Sequence, residues 1–149
     1  MDRQQTSTIK IAHWLESKNF QVNYPGLKSH PQYGLFNKQA TGPGAVLSFT
    51  TGNIELSKLI CDNCSLFTIS VSFGCINSLI SMPCLMSHAS IPAEIRKARQ
   101  LPEDLIRLCI GIEDVDDLVE DLDSAINYAS STILMNNTVE VNSTKYIDD

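Results

Sequence analysis

The chain has 149 residues, enough for one domain with a sizeable core and too few for a second full one. Its net charge of -6, from 11 basic and 17 acidic side chains, argues against nucleic acid and against an anionic membrane surface. No apolar run reaches membrane-spanning length, the polar start is no signal peptide, and five cysteines, an odd number, point to free thiols in a reducing, cytoplasmic compartment.

In chain order, residues Thr6 to Lys18 read as a helix, with Ile9, Ala12, Trp14 and Leu15 apolar and Asn19 as its stop. The polar Met1–Gln5 segment has no evident cap, as if the helix were entered part-way. Phe20 to Tyr24 is a short strand. Tyr24-Pro25-Gly26-Leu27 has the Pro-Gly order of a type II turn. A weak helix follows from His30-Pro31 through Lys38. Thr41–Gly44 is a loop, and Ala45 to Thr50 is a strand. Asn53 caps a helix from Ile54 to about Ile60. Leu66 to Phe73, L-F-T-I-S-V-S-F, reads as a strong strand ended by Gly74. Ser78 to Met82 is short and apolar, Pro83 to Pro92 irregular, and Ile91-Pro92-Ala93-Glu94 starts a basic helix.

Leu105 to Ile110 alternates with period two, so it is a strand buried on at least one face. At Gly111 the period changes. Ile112, Val115, Leu118, Val119, Leu122, Ala125 and Ile126 form one apolar helical stripe, with Glu113, Asp114, Asp116 and Asp117 in the first turns, where the helix dipole favours negative charge. After about Ser131 the composition turns polar and reads as a mobile tail. The alternation of strands and helices gives an α/β layer, one sheet with helices mainly on one face.

Most features with chemical potential have a plain structural reading. Cys61-Asp62-Asn63-Cys64 is a C-x-x-C with no second ligand pair, and Cys61 lies at a helix end where the dipole raises a thiol pKa, so two structural thiols are expected and no metal site. The acidic run Glu113–Asp123 reads as a solvated helix face, as do Arg96, Lys97 and Arg99. His88 reads as a loop hydrogen-bonding residue. Arg107 is different, because an arginine inside a short apolar strand needs an anion. Two partners fit it equally: an internal carboxylate, or a substrate carboxylate gripped by two parallel N–H···O bonds. The strand ending Ser72-Phe73-Gly74 offers a hydroxyl and backbone N–H groups to the same anion.

Several stretches together resemble the C-terminal part of the pyridoxal-phosphate enzymes of cysteine and methionine metabolism. They are Ala12-His13-Trp14-Leu15-Glu16, Tyr24-Pro25-Gly26-Leu27 with His30-Pro31, Ser72-Phe73-Gly74 with Ser78-Leu79, Met86-Ser87-His88-Ala89-Ser90, and Leu105-Ile106-Arg107 through Gly111, Glu113, Asp114 and Asp117-Leu118. Within that family, Ser87 to Glu94 followed by Glu103-Asp104-Leu105 is most similar to the cystathionine β-lyase branch. The resemblance spans about residues 3 to 127.

It implies the small C-terminal domain of the aspartate-aminotransferase-like (fold type I) enzymes, a mainly antiparallel sheet with helices on one face. Residues 1–19 are then an incomplete linking helix, 20–129 the small domain and 130–149 the tail. It also implies that Arg107 binds the substrate α-carboxylate, with Ser72 and the backbone near Phe73 lining the pocket. The implied reaction is α,β-elimination from L-cystathionine to homocysteine, pyruvate and ammonia, in enzymes that are usually homotetramers.

The departures set further expectations. The large domain, with the Schiff-base lysine and phosphate loop, has no counterpart here, so no catalytic or cofactor-binding residue is expected and the chain alone should neither hold pyridoxal 5'-phosphate nor be active. Asn77 stands where relatives commonly carry glutamate. Ser143-Thr144-Lys145-Tyr146 echoes the cofactor-lysine motif at the wrong end of the domain order and reads as coincidence. Two roles follow: a lyase small domain carrying the carboxylate side of the site, or a non-catalytic module that associates with full-length subunits or a pyridoxal-phosphate large domain.

Overall fold

Five strands and five α-helices surround one core in the computed structural model, which describes residues 1–144, with side chains through residue 136. The strands are β1 (Gln21–Asn23), β2 (Val46–Thr50), β3 (Thr68–Ile69), β4 (Leu79–Ser81) and β5 (Leu105–Cys109). Their order across the sheet is β1-β2-β5-β4-β3. All pairings are antiparallel except β3 with β4, which is parallel. The sheet is therefore mixed, and the strand that comes last in sequence lies at its centre.

Period two sorts the side chains of β5. Ile106, Leu108 and Ile110 are fully buried, with Leu47 and Phe49 of β2 and Ile80 of β4 on the same face. Three helices cover that face: α1 (Asp2–Ser17) with Ile11, Ala12 and Leu15, α3 (Ile54–Asn63) with Ile60 and Cys61, and α5 (Val115–Thr144) with Leu118, Leu122, Ala125, Ile126 and Ala129. Helices α2 (Tyr33–Gln39) and α4 (Ala93–Ala98) bury no residue.

Local chemistry sets the element ends. Asn53 caps α3, its side chain accepting from the N–H groups of Glu55 and Leu56 at 2.8 and 3.2 Å. Asn19 follows α1 with φ of 67°, the left-handed conformation asparagine tolerates. The Asp104 carboxylate takes the N–H groups of Thr51 and Gly52, tying the β2–α3 turn to the start of β5. At the other end of β5, Glu113 accepts from the N–H and hydroxyl of Ser78, while the Ser78 Oγ takes the N–H of Gly111.

Several expectations are corrected. Helix α1 begins at Asp2, because Gln4 and Gln5 have partners elsewhere: Gln4 Nε2 donates to the carbonyls of Cys75 and Ile110, and Gln5 Oε1 accepts from Gly44 N–H. The turn at Tyr24–Leu27 is not type II, since Gly26 is absent from the glycines of positive φ; glycine serves there because a Cβ would stand 2.7 Å from the Tyr24 ring and 2.9 Å from Pro43. The strand over Leu66–Phe73 shrinks to two residues, because its only neighbour, β4, is three residues long and Ile69 and Val71 stay exposed. The stretch after residue 130, expected as a tail without secondary structure, is helical as far as Thr144: no glycine or proline interrupts α5, and the asparagine-rich stretch continues the helix. Of Ser143-Thr144-Lys145-Tyr146, Lys145 and Tyr146 lie outside the described residues.

Among the described glycines, Gly111 has the closest backbone neighbours. A Cβ there would run into the Ile76 carbonyl and the Glu113 carboxylate and would stand 2.7 Å from the backbone carbon of Asn77. Backbone cannot swing aside as a side chain does, so Gly111→Ala should lower stability by about 1–3 kcal/mol, the usual cost of overpacking. Urea unfolding of the two proteins measures it.

Candidate functional site

The face of β5 opposite the core carries Leu105, Arg107 and Cys109. The cross-strand neighbours of Arg107 are Ser48 on β2 and Ser81 on β4. On it Cys109 is buried, and Leu105 and Arg107 are half-buried. Beside Arg107 lies a cavity of about 410 Å³ whose walls include Asn23, His30, Phe36, Val46, Ser48 and Arg107. A second cavity of about 530 Å³ shares Asn23, His30 and Ser48 with it and continues toward Thr50 and Gln100.

Arg107 reaches across β4 toward the loop after β3. Its guanidinium carbon lies 4.0 Å from the centroid of the Phe73 ring, within cation–π range. Nη2 donates to the Val71 carbonyl at 3.4 Å, a long and weak bond. Nε is buried and has no hydrogen-bond partner. Among the described residues, no carboxylate is ion-paired with Arg107. Ser72 sits between Val71 and Phe73, is exposed, and has its N–H on the Ser70 hydroxyl. Across the strand, the Ser81 hydroxyl is also buried and unpartnered.

His30 has its tautomer fixed. Its Nδ1 accepts from Gln32 N–H at 3.2 Å, so Nε2 carries the proton and donates to Asn23 Oδ1 at 2.9 Å. The His30 ring lines the Arg107 cavity. Tyr24, fully buried, donates to the Gly44 carbonyl, and burial pushes its hydroxyl pKa up to about 12.

Other sequence candidates fall into structural roles. Arg96 is not part of a solvated face: its side chain is only 15% exposed, Nη1 donates to the Ile91 carbonyl, and Nη2 pairs with Glu103 at 3.0 Å. The acidic run is not simply solvated either. Asp121 accepts from the N–H groups of Ser65 and Leu66, Asp123 pairs with Lys18, Asp114 caps Asp116 N–H, and Glu113 holds Ser78. His88 Nδ1 bonds its neighbour Ser87. Among the described residues no cluster of histidine, cysteine or carboxylate side chains has the arrangement of a metal site.

The comparisons with known proteins bear on this face. A family profile described as Cys/Met metabolism PLP-dependent enzyme matches residues 1–127. The chain belongs to this family. It is 59% identical over 134 residues to a cystathionine beta-lyase of Neurospora crassa, covering 90% of this chain and 29% of that protein. With the cystathionine beta-lyase of Schizosaccharomyces pombe the identity is 54%, covering 87% of this chain and 34% of that one. Among solved structures, the yeast cystathionine gamma-lyase superposes with a TM-score of 0.84 at 38% identity, covering 87% of this chain and 35% of that one. The cystathionine gamma synthase of Xanthomonas oryzae, solved with cystathionine, gives 0.83 at 36% identity, covering 89% and 35%. The chain spans about a third of the length of the relatives it matches.

Family members depend on pyridoxal phosphate, which they hold through a lysine Schiff base. Such a lysine needs burial or a cationic neighbour to lower its pKa. The described lysines do not fit that role: Lys10, Lys18, Lys28, Lys38 and Lys97 are exposed, and Lys58 is ion-paired to Glu55.

The C-x-x-C pair lies far from reactivity in energetic terms. Burial, and then the neighbouring Asp62 charge, push the Cys61 thiol up to about 12, and burial, then the Asp121 charge, push the Cys64 thiol up as well. Both thiols stay protonated at neutral pH, whereas Cys75 is exposed. Iodoacetamide at pH 8 should therefore label Cys75 first, with Cys61 and Cys64 reacting only on unfolding, as peptide mass mapping reads out. Since Cys61 and Tyr24 both have folded pKa values raised above their unfolded ones, the folded state binds more protons in alkali. The stability they confer is full below about pH 9, and should fall as pH rises toward 12.

Proposed function

We propose that the chain is the C-terminal small domain of a pyridoxal-phosphate-dependent carbon–sulfur lyase and forms the carboxylate-binding side of its substrate site. The substrate class is a sulfur amino acid, with L-cystathionine and β-elimination favoured by the identity to the fungal cystathionine beta-lyases. In this reading Arg107 grips the α-carboxylate, and Ser72 and the backbone at Phe73, which are not among the walls of the cavity beside Arg107, flank the anion on the other side. The observation that carries this reading is an arginine fixed on the central strand, facing a cavity, with no carboxylate of the described residues to neutralise it. A strand is a rigid mount, and a planar guanidinium on it presents two parallel donors at the spacing of a carboxylate. The open sheet face is then the side that meets the cofactor-bearing domain, and the chemistry on the cofactor belongs to residues of that domain.

The test is a chimera in which residues 1–127 replace the matching stretch of the Neurospora crassa cystathionine beta-lyase. Homocysteine release from L-cystathionine should persist. Arg107→Ala should weaken substrate binding by about 2–5 kcal/mol, the cost of leaving one member of a buried charge pair alone. At 1.4 kcal/mol per tenfold, that is roughly thirty-fold to a few thousand-fold in affinity. Arg107→Lys should not restore it, because an ammonium lacks the parallel pair of donors. An active chimera indifferent to Arg107→Ala would remove the assignment.

A further inference from the structure

The guanidinium of Arg107 has five N–H donors, and its surroundings have already divided them. One face lies on the Phe73 ring at 4.0 Å. Nε is sealed from solvent without a partner. One Nη2 hydrogen points to the Val71 carbonyl, at a distance too long to hold the group by itself. No salt bridge among the described residues constrains it. A long side chain with several rotatable bonds would otherwise sample many poses, and ordering it on binding would cost affinity. The ring, 4.0 Å from the guanidinium carbon, is a contact that can fix the plane of the guanidinium.

We propose that the Phe73 side chain is the positioning residue for the carboxylate site, and that it dictates how the carboxylate binds. This rests on the reading of Arg107 given above and adds a role for the ring itself, distinct from the backbone at that position. With one face stacked and Nε sealed, a carboxylate cannot approach along the Nε edge. It must meet the guanidinium end-on, through the terminal Nη1 and Nη2. The Phe73 ring touches no substrate atom in this scheme. It lowers the ordering cost of Arg107 and selects the terminal edge. Phe73 can do this because the chain leaves the sheet after Ile69: an unbroken strand through residue 73 would carry the ring along the sheet edge rather than let the loop fold it back beneath Arg107.

The experiment uses the full chain, labelled with 15N on arginine side chains, and L-cystathionine as the probe. Before any probe is added, the Arg107 Nε–H proton should be shifted by the ring current of Phe73, and the shift should survive Phe73→Tyr and vanish in Phe73→Leu. An unshifted wild-type resonance, averaged as for a free arginine, overturns the proposal. On titration, the Nη resonances should move strongly and Nε little, with Phe73→Leu binding about tenfold more weakly and Phe73→Tyr near wild type. Arg107→Ala reports separately on the underlying reading: if binding to wild type is lacking, or survives in Arg107→Ala, the carboxylate site itself fails. If Arg107→Ala abolishes binding while Phe73→Leu leaves affinity unchanged, the site stands and the role of Phe73 falls.

Discussion

The structure depends on β5 being paired on both edges. Residues 107–109 have a strand on each side, so the register of β5 is fixed and its side chains are locked to alternate faces. One face supplies Ile106, Leu108 and Ile110 to the core. The other face, by the same geometry, must carry Arg107. A slip of one residue would bury the arginine among α1, α3 and α5 and expose three large apolar side chains. The hydrophobic core and the charged site are therefore two readings of one register, and neither can be altered without the other.

The ends of β5 are held as firmly as its edges. Asp104 ties its start to the turn before α3, and Glu113 with Ser78 ties its exit to the start of β4. Both anchors are carboxylates accepting backbone N–H groups, a stronger bond than a neutral pair makes. Gly111 lets the backbone pass close enough for the second anchor to close. The acidic residues that look like simple solvation of a helix thus serve as fasteners between elements.

The change of period at Gly111 made the strand-to-helix unit legible from sequence, and Asn53 and Asn19 announced their helix ends. The anomaly of Arg107 was legible too, as a charge in an apolar strand. Its neighbours were not. Ser48 and Ser81 become its flanks only through pairing, and nothing in local pattern states which strands pair. His30 and Asn23 enter the same cavity through a side-chain hydrogen bond seven residues apart, which no periodicity encodes. Leu66–Phe73 misled because propensity measures a segment's fitness for a strand, not the length of the neighbour available to it. Arg96 misled because its partner Glu103 lies beyond the helix that carries it. The family resemblance supplied what pattern could not: that the sheet would be mainly antiparallel.

The strand order has a consequence for how the chain acquires its shape. The central strand is the last to be synthesised. Until residue 109 has been made, β1 and β2 form a two-stranded ribbon, and β3 and β4 a separate short one, with no bond between them. Leu47, Phe49 and Ile80 wait in water for Ile106 and Leu108 to arrive. Two-stranded ribbons are marginal in water, so the sheet closes late, and in a single event that joins segments about sixty residues apart along the chain. Between those moments the nascent polypeptide is a client for chaperones and a hazard to its neighbours.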